Sequence, residues 1–188
     1  IVLYTETLGK IELIAKGAKK ITAKLNSHLE TLNLIEATIV TVNNKHITSA
    51  LTVDNFFNIR NQELLLENAL KMIKFFNQVI IAAEKDEFLW QSLKHYFNEL
   101  NKITTVNEEN LILMRLVNIN FLIKLETALG LMPAVEEQPQ YFNQPTIKLI
   151  QLLAERNPQE VMQLISLSEF KKIDYNKIEE DLKEKMIL

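Results

Sequence analysis

The sequence predicts an α+β chain in which a small β-sheet of about four strands precedes an all-helical region. Two observations carry this. The hydrophobic period is near two from Ile1 to about Val53 and helical beyond it. β-Branched residues also concentrate in the first part, notably between Leu32 and Val53. A length of 188 residues, 47% of them apolar and 24% charged, suits one ordinary domain or two small ones, each burying a modest core.

In chain order, Ile11, Leu13 and Ala15 alternate with Lys10, Glu12 and Lys16, broken by Ile14. Leu32–Val42 alternates over most of its length, Asn43-Asn44 interrupts it, and His46–Val53 resumes. Asn tolerates the positive φ of a tight turn, so these two runs read as a hairpin. Asp54 offers an N-cap where the helical period begins. One apolar stripe joins Leu64, Leu65, Ala69, Met72, Ile73, Phe76 and Ile80, and a second joins Phe88, Leu89, Leu93, Tyr96, Phe97 and Leu100. A third and longer one runs from Leu111 to Leu129, begun by Thr105 or Asn107 with Glu108 and Glu109 in its first turn, and stopped by Gly130 and Pro133. Residues 133–145 hold three Pro and read as a loop. Helices are expected at 145–155, 158–165 with Asn157 as cap and Pro158 in the first turn, and 168–186.

Composition excludes several chemistries. With no Cys there is no disulfide, thiolate zinc site, iron–sulfur cluster or Cys nucleophile, and a reducing cytoplasm is the expected compartment. His28, His46 and His95 show no paired metal spacing, so no metal or cofactor is expected. No apolar run reaches the roughly 18 residues of a membrane span, and no signal-peptide pattern is present. No glycine-rich phosphate loop or nucleophile elbow occurs, so the chain is not expected to be an enzyme. The acidic group Glu84, Asp86 and Glu87 reads as a charged helix–helix turn, and His95 as a partly exposed helix residue.

A net charge of −3 argues against nucleic acid, but it is unevenly spread. Residues 1–50 hold six Lys and four Glu, and residues 51–188 hold 15 cations and 20 anions. Lys10, Lys16, Lys19, Lys20 and Lys24 lie on and after one strand around Gly17. Such mobile point charges suit phosphate-backbone contact without base readout; a solvated basic loop is the other reading. Trp90, Tyr96, Phe97, Phe75, Phe76 and Phe88 concentrate on two adjacent helices. They read either as interhelical core or as a groove for an apolar peptide, with Arg115 and Lys124 contacting its acidic end.

The stretch Leu8-Gly9-Lys10-Ile11-Glu12-Leu13-Ile14-Ala15-Lys16-Gly17-Ala18-Lys19-Lys20 resembles the RecO family of recombinational repair proteins. Leu29–Glu36, Asn120–Pro133 and residues 145–186 resemble later segments of that family in the same order. The resemblance implies an N-terminal OB-fold barrel over 1–57, its first strand expected before Ile1, and an all-α domain over 58–188. It implies a DNA repair and recombination accessory, cytoplasmic and nucleoid-associated in a bacterium. Such a protein binds single- and double-stranded DNA, anneals complementary strands and helps load RecA onto DNA coated by single-strand-binding protein. Implied partners are RecR and the C-terminal tail of single-strand-binding protein. The implied DNA-binding residues are Lys10, Lys16, Lys19, Lys20 and Lys24, and the partner-peptide residues Arg115, Phe121 and Lys124. The chain departs from the family where many members carry a four-Cys zinc module, and by placing Asn120 where some carry a basic anchor. Tyr4 is the only aromatic before Phe56, so base stacking is expected to be weak. The alternative function is a helical protein-interaction adaptor with no DNA role.

Overall fold

The structure, a computed structural model, describes residues 1–15, 25–41, 45–81, 85–131 and 143–187. It is α+β, and the chain divides into two compact units, Ile1–Trp90 and Gln91–Leu188.

The first unit opens with β1 (Val2–Thr5) and β2 (Gly9–Glu12), an antiparallel pair turned through Gly9 at φ 63°. A second antiparallel pair follows, β3 (Leu34–Val40) and β4 (His46–Asp54), the hairpin expected from Asn43-Asn44. Ile14 joins the pairs through one parallel bridge to His46, its N–H donating to Lys45 O at 3.0 Å and its carbonyl accepting from Ile47 N at 3.2 Å. Ile11, Leu13 and Ile47 form one buried cluster, with Leu3, Ala15, Leu29, Ile35 and Ile39 packed against it. The alternation in the sequence thus places both hairpins on a shared apolar core. Among the described residues the strands form two two-stranded sheets rather than a closed barrel.

Residues 25–33 and a short helix α1 (Phe57–Arg60) close the base of the second hairpin. Arg60 donates from Nε to Asn55 O at 2.7 Å, and from Nη2 to Thr31 O at 2.7 Å and Asn33 Oδ1 at 2.8 Å. Thr52 N–H donates to His28 Nδ1 at 3.2 Å. Asp54 does not cap a helix: its Oδ1 accepts from Phe56 N at 2.7 Å in a tight turn, and Phe56 takes a left-handed φ of 50° before α1 begins. Helix α2 (Glu63–Val79) buries Leu65, Ala69, Met72, Phe75 and Phe76, most of the predicted stripe. The first unit, Ile1–Trp90, includes α2, to which the first hairpin is fastened as described below.

Helix α3 (Glu87–Asn101) begins with Asp86 accepting from Leu89 N at 2.9 Å, and the division into units falls within it. In the second unit, α4 (Glu108–Ala128) is the central element, with every residue from Leu116 to Ile123 buried. A helix apolar on all sides is one enclosed by neighbours. Asn107 caps its start, and Gly130 at φ 72° ends it. There Gly130 N donates to Thr127 O and Leu131 N to Glu126 O, the paired bonds of a Schellman stop. Around α4 pack α5 (Gln144–Glu155), α6 (Pro158–Leu164) and α8 (Tyr175–Ile187). The helix expected over 168–186 is two: α7 (Leu167–Phe170) stops, and Asp174 accepts from Lys177 N at 3.1 Å to start α8. Asn120, where the resembled family has a basic anchor, is 3% exposed and donates from Nδ2 to Leu153 O at 2.6 Å. None of the described helices is long and apolar enough to cross a membrane.

Asn120→Ala strands that buried carbonyl and opens a cavity, so a loss of about 2 kcal/mol is expected. Urea unfolding followed by helical circular dichroism checks it, and an unchanged midpoint would show that the bond adds no net stability.

Candidate nucleic-acid interface

Of the five lysines expected to form a DNA track, the described residues include Lys10 only; Lys16, Lys19, Lys20 and Lys24 lie outside them. Lys10 sits in β2 opposite Tyr4 of β1, so both side chains leave the hairpin on one face. Its ammonium donates to Asn77 O and Ile80 O, each at 2.6 Å, at the end of α2. Carbonyls in the last turn of a helix lack intrahelical donors and carry the negative end of the dipole. Lys10 therefore serves as the C-terminal cap of α2, with at least two of its donors committed. It is a clamp where a phosphate contact was expected.

Tyr4 completes the clamp. Its ring meets Phe76 edge-on at 5.0 Å between centroids and lies 6.3 Å from Trp90. Burial, helped by the Asp86 carboxylate, pushes the Tyr4 hydroxyl up to about 12. The single aromatic of the β region is thus spent on packing, not offered to a base.

What the β region does present is a junction. Ala15 and the lysine-bearing stretch follow Ile14 directly, and Ile14 is bonded between Lys45 and Ile47. Ile14 is 51% exposed and Lys45 is exposed. Ile14 therefore lies beside Lys45 and His46, two residues that sequence reasoning did not connect to it. No spacing rule could have done so, because only the parallel bridge brings Ile14 to His46.

Redistributed by compact unit, the charge asymmetry weakens. Ile1–Trp90 holds ten cations and ten anions, and Gln91–Leu188 holds eleven and fourteen. The basic character is a local property of residues 10–24 and their junction, not of a whole domain.

The expected partner-peptide residues are not brought together. Arg115 and Lys124 are nine residues apart on α4, a rotation of about 180° at 3.6 residues per turn. Arg115 faces α8, donating from Nη1 to Asn176 Oδ1 at 2.8 Å, with its guanidinium 5.5 Å from the centre of the Tyr175 ring. Burial pushes the Tyr175 hydroxyl up to about 12, against the pull of Arg115. Phe121 is 1% exposed and packs its ring 4.9 Å from that of Tyr96, inside the unit. Lys124 belongs to a half-buried group with His95, Glu99 and Lys102. Burial lowers the Lys124 pKa while Glu99 opposes it. His95 is lowered by burial and then by Lys124. Glu99 is paired with Lys102 at 2.5 Å. The aromatic concentration resolves into two packing groups, Tyr4 with Phe76 and Trp90 in the first unit, and Tyr96 with Phe97 and Phe121 in the second.

Among the described residues no three His, Asp or Glu side chains converge as metal ligands. Comparison with known protein families, curated proteins and solved structures finds no match to the chain.

Lys10→Met removes the charged donor from the α2 carbonyls and is expected to cost about 1–3 kcal/mol, read as a lowered denaturation midpoint. An unchanged midpoint would refute the clamp. Tyr4 holds its proton to about pH 12 in the folded chain, against an ordinary value of 10. Its contribution to stability is therefore intact below pH 10 and lost as pH rises towards 12. In an alkaline titration of phenolate absorbance, Tyr4→Phe should remove a late-ionising component; loss of an ordinary one instead would contradict the burial.

Proposed function

We propose that this chain is a non-enzymatic accessory of DNA repair and recombination that binds single- and double-stranded DNA through phosphate contacts and anneals complementary strands. The observation that carries the reading is the lysine-rich stretch itself, which follows in sequence on Ile14, a residue bridged to His46 beside Lys45. Four lysines within nine residues, on a stretch with one glycine and no acid, form a dense string of cations. Neutralising phosphates releases condensed counterions, so such a string yields affinity without sequence preference.

The resemblance of residues 8–20 to RecO-type proteins supports the same reading. On it, the two bridged hairpins are the strands of an OB-type barrel, and the shared core of Ile11, Leu13 and Ile47 is the barrel's interior. Loading of RecA and contact with RecR and with the tail of single-strand-binding protein follow from that resemblance alone. With Lys10 and Tyr4 committed to α2, the proposed track consists of Lys16, Lys19, Lys20 and Lys24, flanked by Lys45. Binding should fall steeply with salt and respond little to base identity.

Fluorescence anisotropy with labelled oligonucleotides across a salt series tests this. The variant Lys16→Glu/Lys19→Glu/Lys20→Glu is expected to lose most of its affinity, and its salt slope should drop by about 2 to 3 units, one per lost phosphate contact. Lys94→Glu, on an exposed face of α3, should change neither. Equal affinity of the triple variant and the parent would overturn the proposal.

A further inference from the structure

We propose that the outer edge of β3 pairs with the same edge of a second copy of this chain, antiparallel about Ala37, to make a four-stranded sheet. Strand β3 hydrogen-bonds to β4 on one side, and among the described residues no strand pairs with its other side. Glu36, Ala37 and Thr38 are all exposed. Successive strand residues point to opposite faces, so the side chains of the outer strand reach solvent here from both faces, although its partner Ala50 rests on the buried cluster.

The hairpin is held at its two ends, and Ile35, Ile39 and Ala50 rest on the buried cluster between them, leaving the edge of β3 open. At its base Thr52 is bonded to His28, and Asn33 to Arg60. At its tip Ile47 is 3% exposed and bridged to Ile14. A two-stranded sheet is marginal in water, and a further strand is the ordinary remedy.

Two features keep this edge able to pair. The register shifts from Leu34↔Asp54 to Ile35↔Thr52, and from Thr38↔Ser49 to Ile39↔Ile47. Both extra residues, Val53 and Thr48, therefore lie on β4, and β3 runs without an insertion. Nor does β3 carry the Lys or Pro that usually blunts an edge.

The sequence of β3 fits a second copy of itself. A two-fold axis at Ala37 sets Glu36 of each copy opposite Thr38 of the other and Ile35 opposite Ile39, so that no like charges meet. Strand pairing alone covers little area, so the dimer belongs to the weak, concentration-dependent class.

Sedimentation of the full chain over a wide concentration range should show a monomer–dimer equilibrium. Thr38→Glu sets two pairs of glutamates face to face and should raise the dimer dissociation constant about tenfold. Glu36→Lys/Thr38→Glu turns each pair into opposite charges and should restore dimerisation, with circular dichroism confirming that both variants fold. Because the chain has no Cys, Ala37→Cys gives one thiol per copy. It should cross-link under mild oxidation much faster than Thr48→Cys, since directly opposed residues in such a sheet lie about 4.5–5.5 Å apart at Cα, within disulfide reach. A monomer at every concentration, a dimer indifferent to Thr38→Glu, or equal cross-linking of the two cysteine variants would each overturn the proposal.

Discussion

Lys10 projects from a hairpin of two four-residue strands, too small to hold together on its own, and its ammonium closes the last turn of α2. The other arrangements of the first unit depend on that contact. It fixes one face of the hairpin towards α2, which brings the opposite Tyr4 onto Phe76 and Trp90. The other face of the same strands then lays Ile11 and Leu13 on Ile47, and the continuation to Ile14 meets His46. One charged residue thus links helix, first hairpin and second hairpin. A lysine that the sequence groups with a nucleic-acid track thus carries a structural duty.

That difference marks the limit of what could be read in the chain. Four strands and the main helices were legible because each depends on local periodicity and on caps within a few residues: Asn107 before α4, Asn157 before α6, Gly130 after α4. The break at Asp174 is also a local cap, but a continuous apolar period over 168–186 masked it. The partner of Lys10 could not be read in the same way. Its acceptors are backbone carbonyls 67 and 70 residues away, and a carbonyl has no sequence signature. The junction of Ile14 with His46 was hidden for the same reason.

On α4 the helical period itself was sufficient to show that Arg115 and Lys124 diverge. Nine residues place them about half a turn apart, whatever the tertiary structure. What the period could not reveal is that the helix is enclosed on nearly every side over Leu116–Ile123. Phe121 and Asn120 are interior residues for that reason. The polar one is kept by hydrogen bonds to the end of α5, which an apolar residue there would leave unmade.

The proposed track and the proposed edge pairing meet in one geometric consequence. In β3 the Val40 end lies beside His46, hence beside the bridge to Ile14. A two-fold axis at Ala37 puts Val40 of one copy against Leu34 of the other, so the two junctions fall at opposite ends of the four-stranded sheet. The span from Val40 to its symmetry mate is six strand steps, about 20 Å at 3.3–3.4 Å per residue. Complementary DNA strands are themselves antiparallel and are related by two-fold axes. On the proposed function, a dimer of this symmetry would place two equivalent Ile14–His46 junctions in the mutual orientation of two antiparallel strands.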